Sequence, residues 1–95
     1  MTSQSPELEA LRSTIDDLDR RILELLAERV RVVLSVGDYK RRNGLAVYDP
    51  ERERRMLERL ARMAPKPLDG DTVRRIFERL IDESRRIEQH HVQDR

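Results

Sequence analysis

From Leu8 to Tyr39 one seam recurs at alternating steps of three and four, apolar at every position but Arg29: Leu8, Leu11, Ile15, Leu18, Ile22, Leu25, Arg29, Val32, Val36 and Tyr39. This is the heptad pattern of a helix packed along one side. Ser5 and Pro6 suit its first turn, and Glu7 and Glu9 complement the positive end of the helix dipole. Arg41, Arg42, Asn43 and Gly44 form a stop, with cations in the last turn and glycine just beyond it. A helix over residues 6–42 would run roughly 55 Å at about 1.5 Å per residue, longer than a globule of this size is wide. Its stripe needs a second long apolar surface, and a homo-oligomer supplies one.

Asp49-Pro50 predicts a second helix over 50–64, with Met56, Leu57, Leu60, Ala61 and Ala64 on one face and Pro65 and Pro67 ending it. Asp69-Gly70-Asp71-Thr72 opens a third over 70–90. Its stripe is Val73, Ile76, Phe77, Leu80, Ile81, Ser84, Ile87 and Glu88, and a polar tail from Gln89 to Arg95 is expected to fray. There is no alternating strand pattern and no internal repeat. The expected fold class is all-α, a single domain over 1–95 with three helices and a very long first one.

Composition sharpens this picture. With 37% hydrophobic and 41% charged residues, a monomeric core of a 95-residue chain would be thin, which again favours an oligomer. Twenty Lys and Arg against nineteen Asp and Glu leave a net charge of +1, and two Tyr and one Phe offer few stacking rings, so a nucleic-acid partner is not expected. The absence of cysteine excludes thiolate catalysis, Cys-based zinc sites and disulfides. No stretch has the length of a membrane span, and the polar start Met1–Pro6 lacks the charge and apolar run of a leader. A soluble, cytoplasmic protein with no membrane partner is the expectation.

Three conflicts between apolar pattern and residue type mark candidate chemistry. Arg29 interrupts the seam in mid-helix, where a guanidinium is costly unless an anion meets it. Lys40, eleven residues on, returns to within ~20° of the same face, so two cations point the same way and suit a small anionic ligand. A salt bridge to Glu28, Glu51 or Glu53 is the alternative. Ser84 and Glu88 continue the row of Phe77 and Ile81 on the third helix, unless that helix emerges into solvent there. Asp49, Arg52 and Glu53 cluster in the first turn of the second helix, where capping and the dipole also account for the acids. Arg12 lies about 25 Å from Arg29 along one helix, so only an antiparallel second copy brings the two to one ligand. His90 and His91 are adjacent, poor spacing for a metal site or general base, and Gly37, Gly44 and Gly70 are too scattered for a phosphate loop.

The stretches Leu11–Asp19, Leu25–Arg29, Val36–Lys40 and Tyr48–Glu53, in order and without large gaps, resemble the AroQ-class, all-helical chorismate mutases. The resemblance runs from about Leu8 to Glu88. It implies an intertwined homodimer with two sites, each completed by an arginine from the other chain, a position Arg12 matches. It implies that Arg12 and Arg29 bind the carboxylates of chorismate, a dianion, and that Lys40 bridges a carboxylate and the ether oxygen. Asp49 and Glu53 match positions that receive the ring hydroxyl, and Arg52 and Ser84 complete the shell. Glu88 stands opposite Lys40 at the ether oxygen, and Leu8, Val33, Val36 and Ile81 match apolar walls. Lys40, Glu88 and Arg29 would be catalytic, with no metal or cofactor.

Many members carry Gln where this chain has Glu88. A carboxyl group donates a hydrogen bond to the ether oxygen only when protonated, so activity is expected to fall as pH rises and Glu88 ionises. Arg85 occupies a position usually apolar in relatives; it either points to solvent or pairs with Glu88. Isochorismate-pyruvate lyases resemble the chain at Arg12, Arg29 and Lys40 but generally lack the acids at Asp49 and Glu53, so the mutase reading is favoured. Aminodeoxychorismate mutase activity is a weaker alternative. A non-enzymatic helical adaptor, its charged stripes holding partner helices, is the reading from another class.

Overall fold

The computed structural model describes residues 5–93, and these form three α-helices: α1 Pro6–Arg42, α2 Pro50–Arg62 and α3 Gly70–Gln93. The polar start over 1–4 and the last two residues of the tail, 94–95, lie outside the described residues. The chain divides into two compact units, with the boundary between Val32 and Val33.

In the first unit α1 begins as its sequence directs. The Ser5 hydroxyl accepts from the Leu8 amide at 3.0 Å, satisfying one of the open donors of the first turn. The seam Leu8, Leu11, Ile15, Leu18, Ile22, Leu25 and Val32 is exposed along its whole run, Leu11 at 59% and Leu25 at 65%. So long an apolar row is far beyond scattered surface hydrophobes.

The second unit holds the end of α1, the connector, α2 and α3. Gly44 ends α1 with φ +68°, the left-handed conformation that costs glycine nothing, and the Leu45 amide returns to the Lys40 carbonyl at 2.8 Å. Asp49 caps α2 by accepting from the Arg52 amide at 3.0 Å, and Pro50 occupies the first turn. Asp69 caps α3, accepting from the Thr72 amide at 2.7 Å; that bond holds its carboxyl below the usual carboxylate range.

Two boundaries differ from the pattern-based expectation. α2 stops at Arg62 rather than at residue 64. Its last turn tightens, with the Met63 amide bonded to the Arg59 and Leu60 carbonyls, because Ala64 precedes Pro65 and cannot easily stay helical. α3 runs on to Gln93 instead of fraying after residue 89. The cause is tertiary: His91 Nε2 lies 3.3 Å from Asp38 Oδ2 on α1, fixing the final turns.

α2 packs on α3, and the apolar residues Met56, Leu57, Leu60 and Ala61 of α2 and Phe77, Leu80 and Ile81 of α3 are all partly withdrawn from solvent. Gly70 lies so close to α2 that a Cβ there would sit 3.0 Å from the Ala61 carbonyl oxygen. Val73 is buried at 6% exposure, whereas these other apolar residues are only half covered. No helix among the described residues is long and apolar enough to cross a membrane.

Candidate functional site

Two arrays of charge form in the second unit. The first is built on Gly37, the one buried residue of α1. Glycine in a helix interior costs about 1 kcal/mol relative to alanine, so its presence asks for a reason. A Cβ at Gly37 would stand 2.0 Å from Glu88 Oε2. The missing side chain is therefore what lets the Glu88 carboxylate lie against the α1 backbone. Arg41 Nη2 donates to Glu88 Oε2 at 3.3 Å, while Arg41 Nη1 donates to Asp38 Oδ1 at 3.0 Å. The other oxygen of Asp38 faces His91 at 3.3 Å. The Glu88 side chain is only 16% exposed, so this ion pair is shielded from water more than most in the chain.

The second array joins α2 to α3. Arg85 Nη2 donates to both oxygens of Glu53, at 2.8 and 2.7 Å. The guanidinium carbon lies 5.3 Å from the centre of the Tyr48 ring, a cation–π distance, and Nη1 reaches Asp82 at 3.5 Å. The hydrogen bond to Glu53 raises the Arg85 guanidinium above its ordinary range, against a smaller opposing effect of burial. Tyr48, Glu53, Leu57, Glu78, Ile81, Asp82 and Arg85 line an open groove of about 340 Å³ beside this pair.

The residues singled out by pattern fall as follows. Asp49 and Arg52 meet through the helix cap, with the Arg52 side chain exposed. Glu53 is clasped by Arg85. Ser84 is buried at 6% exposure, one turn before Glu88 on α3, so that row does not emerge into solvent after Ile81. Lys40 is half-buried at the end of α1 and forms no ion pair among the described residues; Glu88 is taken by Arg41 instead. Arg12 and Arg29 belong to the first unit: Arg12 is exposed, 3.8 Å from the Glu9 carboxylate, and Arg29 is half-buried. Of the two courses open to Arg85, pairing with Glu88 or pointing to solvent, the structure shows neither, because Glu53 is nearer.

The sequence alone assigns no site role to Gly37, Asp38, Arg41 or His91. One signal was available: a glycine inside a strongly helical run marks a close approach. Asp38 and Arg41, three apart, look like an ordinary surface pair. His91 carried no signal at all, since its partner lies 53 residues away.

Comparison with known proteins adds an independent line. A family model described as chorismate mutase type II matches residues 11–89. The T-protein of Enterobacter agglomerans is 45% identical over 76 residues, covering 75% of this chain and 20% of that protein. The chain thus spans about a fifth of the length of the first curated relatives it matches. Among solved structures, chorismate mutase (form II) of Thermus thermophilus superposes with a TM-score of 0.82 at 37% identity, covering 87% of this chain and 94% of that one. Chorismate mutase of Helicobacter pylori, solved in complex with prephenate, gives a TM-score of 0.85 at 27% identity over 96% and 99% of the two chains.

Proposed function

Since the chain belongs to the chorismate mutase type II family, we propose that it catalyses the cofactor-free Claisen rearrangement of chorismate to prephenate, a step of phenylalanine and tyrosine biosynthesis. The observation that carries this reading is the match along nearly the whole chain to a mutase whose structure holds prephenate, the product of that reaction. The shift is concerted and needs no nucleophile. What a protein contributes is a compact substrate conformation and donors where negative charge grows on the breaking ether bond. Even a ~10⁶-fold acceleration asks ~8 kcal/mol of these two effects.

In this reading Arg29 and a partner's Arg12 hold the two carboxylates, and Lys40 bridges a carboxylate and the ether oxygen. Asp49 and Glu53 receive the ring hydroxyl, Arg52 and Ser84 complete the shell, and Glu88 donates to the ether oxygen. The exposed seam supports an intertwined homodimer, because covering each Leu or Ile contributes roughly 1.5–3 kcal/mol. Glutamate substitutions at Ile15 and Leu25 are expected to convert a dimer to a monomer in sedimentation, with turnover lost together with Arg12 donation. A wild-type chain that sediments as a monomer at assay concentrations contradicts the arrangement.

An ion pair to Arg41 is made only by the ionised Glu88, and a hydrogen bond to the ether oxygen only by the protonated one. The two exclude each other, so Glu88→Gln, whose amide donates without needing a proton, is expected to raise kcat. A Glu88→Gln protein slower than wild type would remove Glu88 as a donor limited by its proton.

The direct test follows loss of chorismate absorbance with product identification. Prephenate from chorismate, with no pyruvate released from isochorismate in a parallel assay, supports the reading; pyruvate released from isochorismate would assign an isochorismate-pyruvate lyase-like elimination instead.

A further inference from the structure

The fold places a cation where the site, as proposed, offers its substrate a carboxylate. Arg85 Nη2 spans both oxygens of Glu53 at 2.8 and 2.7 Å, and each oxygen retains a second acceptor position. The guanidinium is fixed on two further sides, by the Tyr48 ring at 5.3 Å and by Asp82 at 3.5 Å. Glu53 and Arg85 share a groove with Leu57 and Ile81, so the clasped carboxylate borders open space and is not sealed inside a helix contact. A pair serving only to strap α2 to α3 would need no open side and no aromatic support.

From this geometry we infer that Arg85 is a positioning residue: it holds the Glu53 carboxylate in one rotamer, ready to accept the hydrogen bond of the substrate's ring hydroxyl. The inference rests on the mutase reading above and adds to it a residue that acts through Glu53. A glutamate side chain has several rotors to freeze before it can accept a bond at a fixed place. Arg85 freezes them before substrate arrives, so the contribution falls on binding of the hydroxyl more than on the chemical step. Tyr48 sets the position of Arg85 in turn.

The test is a double-variant cycle on the full chain, with kcat and KM for chorismate measured for wild type, Arg85→Met, Glu53→Gln and the doubly substituted protein. Arg85→Met is expected to raise KM about tenfold with a smaller change in kcat, and Arg85→Lys to recover part of the loss. The doubly substituted protein should match Glu53→Gln to within about twofold, because Arg85 has nothing left to position. Tyr48→Leu, which leaves both charges in place, should raise KM in the same direction and guards against a misfolded Arg85 variant. Arg85→Met with kcat/KM unchanged, or penalties that multiply in the doubly substituted protein, would overturn the inference while the mutase reading stood. Wild type that forms no prephenate would instead defeat the reading, and this inference with it.

Discussion

Replacing Arg29 by alanine is expected to lower kcat/KM for chorismate by at least about 10³-fold, while the dimer and the helical spectrum remain. A single well-aimed donor to developing negative charge is worth roughly 10²–10³ in rate. Arg29 is proposed to do more than one donor does, since a guanidinium presents its hydrogen bonds as a fixed fork to a carboxylate. Its loss would leave a dianion facing an apolar seam with one cation fewer. Thermal stability should change by no more than about 1 kcal/mol, because the guanidinium is only half-buried and lies in no closed core. Turnover and thermal unfolding measured on the same preparation separate the two effects. A helical adaptor predicts the stability result with no turnover in either protein, whereas full turnover in Arg29→Ala would remove Arg29 from the site.

Gly37→Ala is expected to produce a similar divorce of activity from stability. The new methyl group would claim the space of Glu88 Oε2, which lies 2.0 Å from its position. The obstacle is the far end of a flexible side chain, so Glu88 swings aside and the helices need not separate. Alanine also suits a helix interior better than glycine by about 1 kcal/mol, which offsets the loss of the Arg41 ion pair. The melting temperature should therefore change little. Catalysis should not escape, because a carboxyl group displaced by even an ångström no longer meets the ether oxygen, and a loss of about 10²-fold in kcat follows. Two results would contradict this account: full activity in Gly37→Ala, or a protein too unstable to assay. The first would mean that Glu88 contributes nothing where it stands.

Both variants act at places where pattern and residue type disagree, but they differ in how such places can be found. Arg29 is visible in one dimension: it breaks a heptad row, and no alignment of partners is needed to see the break. Ser84 and Glu88 are visible in the same way, as polar residues continuing Phe77 and Ile81. Arg85 was open to two readings and took a third, since the choice among Glu88, solvent and Glu53 depends on how α3 rotates against α2. Asp38, Arg41 and His91 look like three unrelated surface charges until α3 is laid beside the end of α1.

Local sequence sets the three helices, their N-terminal caps, the glycine stop of α1, the apolar seam and the polar residues that interrupt it. These are set by interactions within a few residues: helical periodicity, the Asp49 and Asp69 caps, the Pro65 stop and the left-handed Gly44. The packing of the helices selects which carboxylate a cation meets. Arg41 took Glu88, Arg85 took Glu53, and His91 kept α3 helical to Gln93. Ion pairing depends on distances of a few ångströms between residues dozens of positions apart, and a one-dimensional pattern carries no measure of that distance.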